Sequence, residues 1–217
     1  CDSVSAFGSV IAVNRPLDKE TAEAMKGNFI ELLLAPSFED DGLAVLKEKK
    51  DIRVLEMGKV DAPQAAGKDF RRIHGGLLAQ DYDTDPYDRS TRKVVTTAEP
   101  TDAQWDDLLF AWKVCKHVKS NAIVLVKDRA TVGVGAGQMS RVDSAMIAVK
   151  KAGAKAEGCS VASDAFFPFP DALEEVAGAG AKAVIQPGGS KKDDQALAVC
   201  EKNGMAMVMT GRRHFRH

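Results

Sequence analysis

Short apolar runs alternate with amphipathic stretches along this 217-residue chain, and that alternation limits its fold more than any other feature. Ser9 to Val13, Ile30 to Ala35 and Ile52 to Glu56 read as strands. Between them, Asp18 to Lys26 and Phe38 to Lys49 carry helical spacing, with Asp18 placed as an N-cap and Pro36 stopping the strand before it. The pattern returns in the second half. A helix is expected from Thr101 to about Val118, then strands at Ala122 to Val126 and Thr131 to Val134, and a helix from Ser140 to Lys151. A strand near Cys159, a helix from Pro170, a strand at Ala181 to Ile185, a helix from Ser190 and a strand at Met205 to Met209 complete it. Continuous apolar strands separated by helices belong to sheets covered on both faces, so the expected fold class is layered α/β.

Between Asp81 and Pro100 the composition changes. Asp81-Tyr-Asp-Thr-Asp-Pro-Tyr-Asp88 is acidic and rich in turn residues, as suits a surface connection. The chain is therefore divided near residue 98, into residues 1–98 and 99–217. Thirty basic and 31 acidic residues, a net charge of -1, argue against nucleic acid as a partner and leave room for a local basic pocket. The four cysteines are widely spaced and form no Cys-x-x-Cys pair, which reads as reduced thiols in a cytoplasmic protein, with Cys115 and Cys200 as core residues of helices. No apolar run reaches the roughly 18 residues of a membrane helix, so no membrane partner is expected. The start, Cys1-Asp-Ser-Val, has neither an initiator Met nor a basic leader and reads as cut.

Several segments could carry chemistry. Gly133-Val-Gly-Ala-Gly137 is a glycine-rich passage between strand and helix, which serves either close packing or a ligand that backbone N–H groups approach. Ser163-Asp-Ala-Phe-Phe-Pro-Phe-Pro-Asp171 crowds phenylalanines where a strand gives way to a helix. It is either a plug over the sheet end or a stacking platform for a flat ring. Gln186-Pro-Gly-Gly-Ser190 reads as a tight turn with Ser190 as N-cap, and no ligand is assigned to it. Arg212-Arg-His-Phe-Arg-His217 follows a strand directly; such a tail is either solvated or suited to a phosphate through its arginine forks. Glu31 interrupts an otherwise apolar strand, where an acid is costly without a partner. Asn121 by itself reads as a cap at a strand start.

Taken in order, Gly135-Ala-Gly-Gln-Met-Ser-Arg141, Ser163 to Asp171, Gln186 to Ser190 and the basic, aromatic terminus closely resemble the C-terminal half of the aminoimidazole-carboxamide ribonucleotide (AICAR) formyltransferase domain of the bifunctional purine-biosynthesis enzyme. Asp2-Ser-Val-Ser-Ala-Phe-Gly8 matches the family's Asp-Pro-x-Ser-Ala-Phe-Gly loop with Ser3 in place of Pro, and His74-Gly-Gly-Leu-Leu-Ala-Gln80 resembles its Gly-Gly-Leu-Leu segment. The resemblance implies two cytidine-deaminase-like subdomains, part of the first and all of the second. It also implies transfer of a formyl group from the co-substrate 10-formyltetrahydrofolate to the 5-amino group of AICAR by a homodimer. No metal is expected: none of His74, His117, His214 and His217 begins the His-x-Glu that a zinc deaminase needs, and no paired cysteines exist.

The resemblance also assigns roles. Asn121 would lie beside the reacting amine and formyl groups, and His217 would assist the catalytic histidine. Gly8, Glu31, Arg141, Phe166 and Arg213 would bind AICAR, with Phe166 against the heterocycle and Arg213 on the phosphate. Phe7, Asp171 and Phe215 would border the folate. Family members from animals carry Asn after that Asp; Ala172 stands here, so one folate contact is expected to be lost.

The chemistry asks for more than these residues. The AICAR amine is a poor nucleophile, so a base must take its proton and a cation must hold the oxyanion. In the family a Lys-His pair within Lys-His-Ala-Asn-Pro-Cys-Gly does both. These 217 residues contain no such segment, and their only Lys-His, Lys116-His117, reads as a surface pair. Three functions stay open: formyltransferase sequence, active when complete or when paired with another chain; a non-catalytic AICAR-, folate-binding or dimerisation module; and a ribonucleotide enzyme of other chemistry with His217 as base.

Overall fold

The computed structural model describes residues 5–59 and 67–216. It is an α/β protein whose chain divides into two compact units between Tyr82 and Asp83. In the first unit, β1 (Ser9–Ala12), β2 (Ile30–Ala35) and β3 (Arg53–Glu56) form a parallel sheet in that order. Helices α1 (Lys19–Met25) and α2 (Asp40–Lys47) are the crossovers. Asp18 caps α1 as expected, accepting the Thr21 N–H at 2.8 Å. Leu17, Ile30, Leu33 and Leu46 form the core of this unit.

The sequence pattern does not reveal the antiparallel hairpin of β4 (Lys68–Ile73) and β5 (Gly76–Asp81). Lys68-Asp-Phe-Arg-Arg-Ile73 is mostly charged, and neither strand has a buried face. Gly75, at φ 79°, supplies the left-handed residue of the connecting turn.

The second unit begins at Asp83, earlier than residue 98, because the acidic segment is used internally. The Asp85 carboxylate pairs with Arg92 and accepts the Trp112 indole N–H at 3.1 Å. A short strand, β6 (Lys93–Val94), then joins the edge of the second sheet. Burial alone would raise the Asp85 pKa, but the bonds from the Tyr87 N–H and the Trp112 indole, with the charge of Arg92, hold it below the usual carboxylate range. A depressed folded-state pKa gives stability that is complete above the unfolded value near 3.9 and disappears as pH falls through the folded value. Acid titration of stability should therefore show a loss beginning below about pH 4, and Asp85→Asn should flatten that part of the curve.

The remaining elements are α3 (Asp102–Cys115), β7 (Ile123–Lys127), β8 (Ala130–Gly135), α4 (Arg141–Ala152), β9 (Ser160–Ser163), α5 (Asp171–Gly178), β10 (Ala183–Gln186), α6 (Asp193–Lys202) and β11 (Ala206–Met209). The sheet order is β6-β11-β10-β9-β7-β8, with β9, β10 and β11 mutually parallel. Side chains alternate across a strand, and β7 shows the result. Ile123 and Leu125 pack with residues of α4, α5 and α6, whereas Val124 and Val126 pack on Trp105, Leu108 and Trp112 of α3. Three layers follow, helix on both faces of one mixed sheet. Thr101 and Gln104 begin α3 with a reciprocal capping box, at 3.2 and 2.8 Å.

Two details differ from expectation. Gly133 and Gly135 lie within β8, where they let the strand run against the backbone of α4; only Gly137, at φ 67°, belongs to the turn. Helix α6 starts later than Ser190, which instead accepts the Lys192 N–H at 3.1 Å, while the Asp193 carboxylate accepts the Gly189 and Ser190 N–H groups. Cys115, Cys159 and Cys200 are buried and unpaired with one another; burial pushes the Cys159 and Cys200 thiols up to about 12 and Cys115 well above its ordinary value. Among the described residues no helix is long and apolar enough to cross a membrane.

Candidate functional site

The cavity-lining residues of the second unit gather at one end of its sheet. The carboxyl ends of β9, β10 and β11 lie there with the amino end of the antiparallel β7. Open α/β sheets place ligand crevices outside the carboxyl ends of their strands.

Ser140 caps α4 by accepting the Asp143 N–H at 3.1 Å, which makes Arg141 the first helical residue. Its side chain turns back into the protein. Nη1 donates to Asp164 Oδ1 at 2.5 Å, to Ser163 Oγ at 2.7 Å and to the Ala122 carbonyl at 3.5 Å, and Nη2 donates to Asn121 Oδ1 at 3.0 Å. The side chains of the Arg141–Asp164 pair are 6% and 0% exposed. Asp164 is the junction of the site: it also accepts the Ser120 hydroxyl and the Ala122 N–H, and its carbonyl accepts the His214 N–H. Asn121 is held at both ends, since Nδ2 donates to the carbonyls of Gln138 and Met139 at 2.9 and 3.0 Å. The amide that borders the cavity is thus fixed in direction.

A cavity of about 390 Å³ opens beside this network, with Asn121, Arg141, Phe166, Phe169, Asp171 and Phe215 among its walls. The phenylalanines divide between the two roles weighed from sequence. Phe167 is fully buried in the core as a plug, while Phe166 and Phe169 face the cavity. The tail returns along the same edge: the Ser120 N–H donates to the Arg216 carbonyl at 2.9 Å, and the Arg216 N–H to Ser120 Oγ at 3.0 Å. The Arg213 guanidinium stands 5.0 Å over the Phe166 ring and 5.8 Å from that of Phe215. Lys192 stands 4.1 Å over Phe169.

Asn121, Arg141, Phe166, Asp171, Arg213 and Phe215 therefore gather in the second unit. Phe7, Gly8 and Glu31 form a separate group in the first: the Phe7 and Phe29 rings are 4.9 Å apart, and Gly8, at φ 69°, leaves room for the Glu31 carboxylate. Glu31 is exposed, so the burial cost expected of an acid in an apolar strand does not arise. His217 and residues 1–4 lie outside the described residues. Lys116 donates to the Asp83 carbonyl, and burial, then the charges of Lys116 and Arg216, lower the pKa of His117; neither residue lines the cavity. Among the described residues no cluster of His, Cys, Asp or Glu is arranged for a metal ion.

Asp164, Ser120 and Asp83 were not picked out from sequence. Asp164 carried a signal, an acid directly after a wholly buried strand; Asp83 lies too far along the chain from its partner for spacing to disclose the pairing.

The fold and cavity define an α/β protein with a largely apolar slot, a fixed amide on one side and a guanidinium near the Phe166 and Phe215 rings of its wall. The family model for the AICARFT/IMPCHase bienzyme matches residues 1–151, and the chain belongs to that family. The bifunctional purine biosynthesis protein PurH of Bacillus cereus (strain AH187) is 53% identical over 216 residues, all of this chain and 42% of the relative. PurH of Bacillus thuringiensis (strain Al Hakam) is 52% identical with the same coverage. The chain thus spans 42% of the length of these curated relatives. A solved structure, Acinetobacter baumannii RibD, form 2, covers 49% of this chain and 35% of its own at 15% identity, with a TM-score of 0.34, and carries no inference.

Proposed function

We propose that these residues form part of an AICAR formyltransferase in purine biosynthesis, and that the cavity at the sheet edge receives AICAR and the formyl end of 10-formyltetrahydrofolate. The observation that carries the reading is the stack of Arg213 on Phe166 beside a cavity bordered by Asn121. A flat heterocycle gains from an aromatic wall, and a guanidinium fork suits a 5′-phosphate. In this reading Phe166 takes the imidazole ring and Arg213 the phosphate. The Asn121 amide, kept in place by Arg141, faces the amine and formyl groups. Asp171 and Phe215 border the folate, while Gly8, Glu31 and Phe7 of the first unit keep the substrate- and folate-side roles that family resemblance implies. Arg141, which also lines the cavity and keeps its expected place beside AICAR, acts as well through Asp164 and Asn121, to which Nη1 and Nη2 donate. Both units are read as cytidine-deaminase-like, and the working protein as a cytoplasmic homodimer.

The reaction joins the AICAR amine nitrogen to the formyl carbon, passes through a tetrahedral oxyanion and releases tetrahydrofolate as the carbon–nitrogen bond to the cofactor breaks. The amine proton needs a base. Among the described residues that line the cavity none is His, Lys or Cys, an observation that favours a second reading, a binding module without catalysis.

Following tetrahydrofolate release separates the two. The 217-residue chain alone should fall at least about 10⁴-fold below a fusion carrying the preceding segment of the Bacillus cereus relative, from the combined loss of base and oxyanion cation. An inactive fusion that still binds AICAR would favour the binding module. Full activity of the chain alone would place the base within it and direct attention to His217.

A further inference from the structure

His214 sits between Phe215, which lines the cavity, and Arg213, whose guanidinium lies over the Phe166 ring, yet its own side chain is buried. Its ring is fully buried, with its centroid 4.1 Å from that of Trp112 and its Nδ1 2.7 Å from Asp83 Oδ2. A bond to a carboxylate assigns the ring proton to Nδ1. Packing alone does not call for an imidazole in this place: Nε2 is buried without a hydrogen-bond partner, a cost that an aliphatic side chain in the same slot would avoid. The polar bond to Asp83 is what the ring adds.

The bond has a directional consequence. His214 is buried whereas Arg213 and Phe215 on either side of it are exposed, so holding the imidazole inward leaves its two neighbours on the outside. They do lie together, with Arg213 between the Phe166 and Phe215 rings. The receiving segment is itself secured, as the Lys116 ammonium donates to the Asp83 carbonyl and Arg212 Nη1 to the Thr84 carbonyl at 2.9 Å. On the other side of His214, the Arg216 backbone is bonded to Ser120.

We propose that the His214–Asp83 pair is a positioning device that sets Arg213 and Phe215 over Phe166 and so presents the guanidinium to a ligand phosphate. The last clause rests on the reading of Arg213 given above; the placement of the tail does not. His214 and Asp83 are positioning residues, acting on the ligand only through Arg213 and Phe215.

The test uses the 217-residue chain with His214→Leu, which keeps contact with Trp112, Asp83→Ala, the double variant, and His214→Asn, whose side-chain amide can donate where Nδ1 does. Amide hydrogen exchange is read at His214 and Arg216. Each single variant should speed exchange there about tenfold or more, the double variant should add little to either, and His214→Asn should stay near wild type. Amides of β10 and β11 should keep their protection. The second readout is the affinity ratio of AICAR ribonucleotide to its nucleoside, which should collapse about tenfold in His214→Leu, whereas general loosening would weaken both ligands alike. Unchanged tail exchange, additive single effects, or loss of protection throughout the sheet would overturn the proposal. A wild-type chain that does not prefer the ribonucleotide would instead overturn the phosphate role of Arg213, and tail exchange would still decide the positioning role.

Discussion

Asp164→Ala is expected to destabilise the second unit by about 3–5 kcal/mol, as does removal of one member of other buried ion pairs. The carboxylate is wholly enclosed and serves Arg141, Ser120 and the Ala122 N–H at once. Without it, the Arg141 cation stays buried with only neutral acceptors, and the ends of β7 and β9 lose their common bond. At roughly 2–4 °C per kcal/mol for a unit of this size, the melting temperature should fall on the order of 10 °C. Calorimetry of Asp164→Ala beside Asp164→Ala/Arg141→Met distinguishes an orphaned charge from lost packing. The double variant should regain much of the stability, since a buried pair replaced by apolar groups is often tolerated. It should not regain AICAR binding, because Asn121 loses the guanidinium that holds its oxygen. A double variant no more stable than Asp164→Ala would count against this account of the pair.

Gly135→Ala should be nearly as damaging for a different reason. A Cβ on Gly135 would lie 1.9 Å from the Ser144 carbonyl oxygen, and one on Gly133 2.1 Å from that of Ala148. Both obstacles are helix backbone, so no side chain can rotate away, and α4 has to move off β8. Overpacking typically costs about 1–3 kcal/mol, and a clash with backbone belongs at the top of that range or above. Urea unfolding should show the loss. AICAR affinity should fall with it, because α4 carries Ser140 and Arg141 at its first turn. Gly137→Ala provides the contrast: its Cβ would meet only the Lys119 Cβ, at 3.7 Å, and the cost is confined to a positive φ.

These two substitutions also mark how far the sequence could be read. Apolar periodicity located the strands of the two larger sheets, the short edge strand β6 excepted, and their helices to within a few residues, since a strand buried on both faces, such as β7, has to be continuously apolar. The β4–β5 hairpin escaped because neither of its faces is buried, so no alternation is imposed on Lys68 to Ile73. The start of the second compact unit at Asp83 is not marked in the sequence, because Asp83 and Asp85 look like surface residues when their partners, His214 and Arg92, are not in view. Glycines raised the same difficulty: Gly133 and Gly135 look like a ligand loop in one dimension and are a helix–strand contact in three. Within the site, Phe166 and Arg213 were legible as candidates from their chemistry and from family resemblance, and the guanidinium stands 5.0 Å over the ring. Asp164 and the His214–Asp83 pair were not, because their roles consist of bonds between segments far apart in sequence.

The most direct test of the central claim is a calorimetric titration of the 217-residue chain with AICAR ribonucleotide, repeated with Arg213→Ala and Phe166→Ala. Binding should be saturable, at one site per chain. Each substitution should weaken it by about tenfold or more, from lost charge-assisted bonds in one case and lost ring stacking in the other. The nucleoside, lacking the phosphate, should bind weakly and be indifferent to Arg213→Ala. Absence of binding, or binding that neither substitution alters, would contradict the placement of AICAR in the cavity between Asn121 and Phe215.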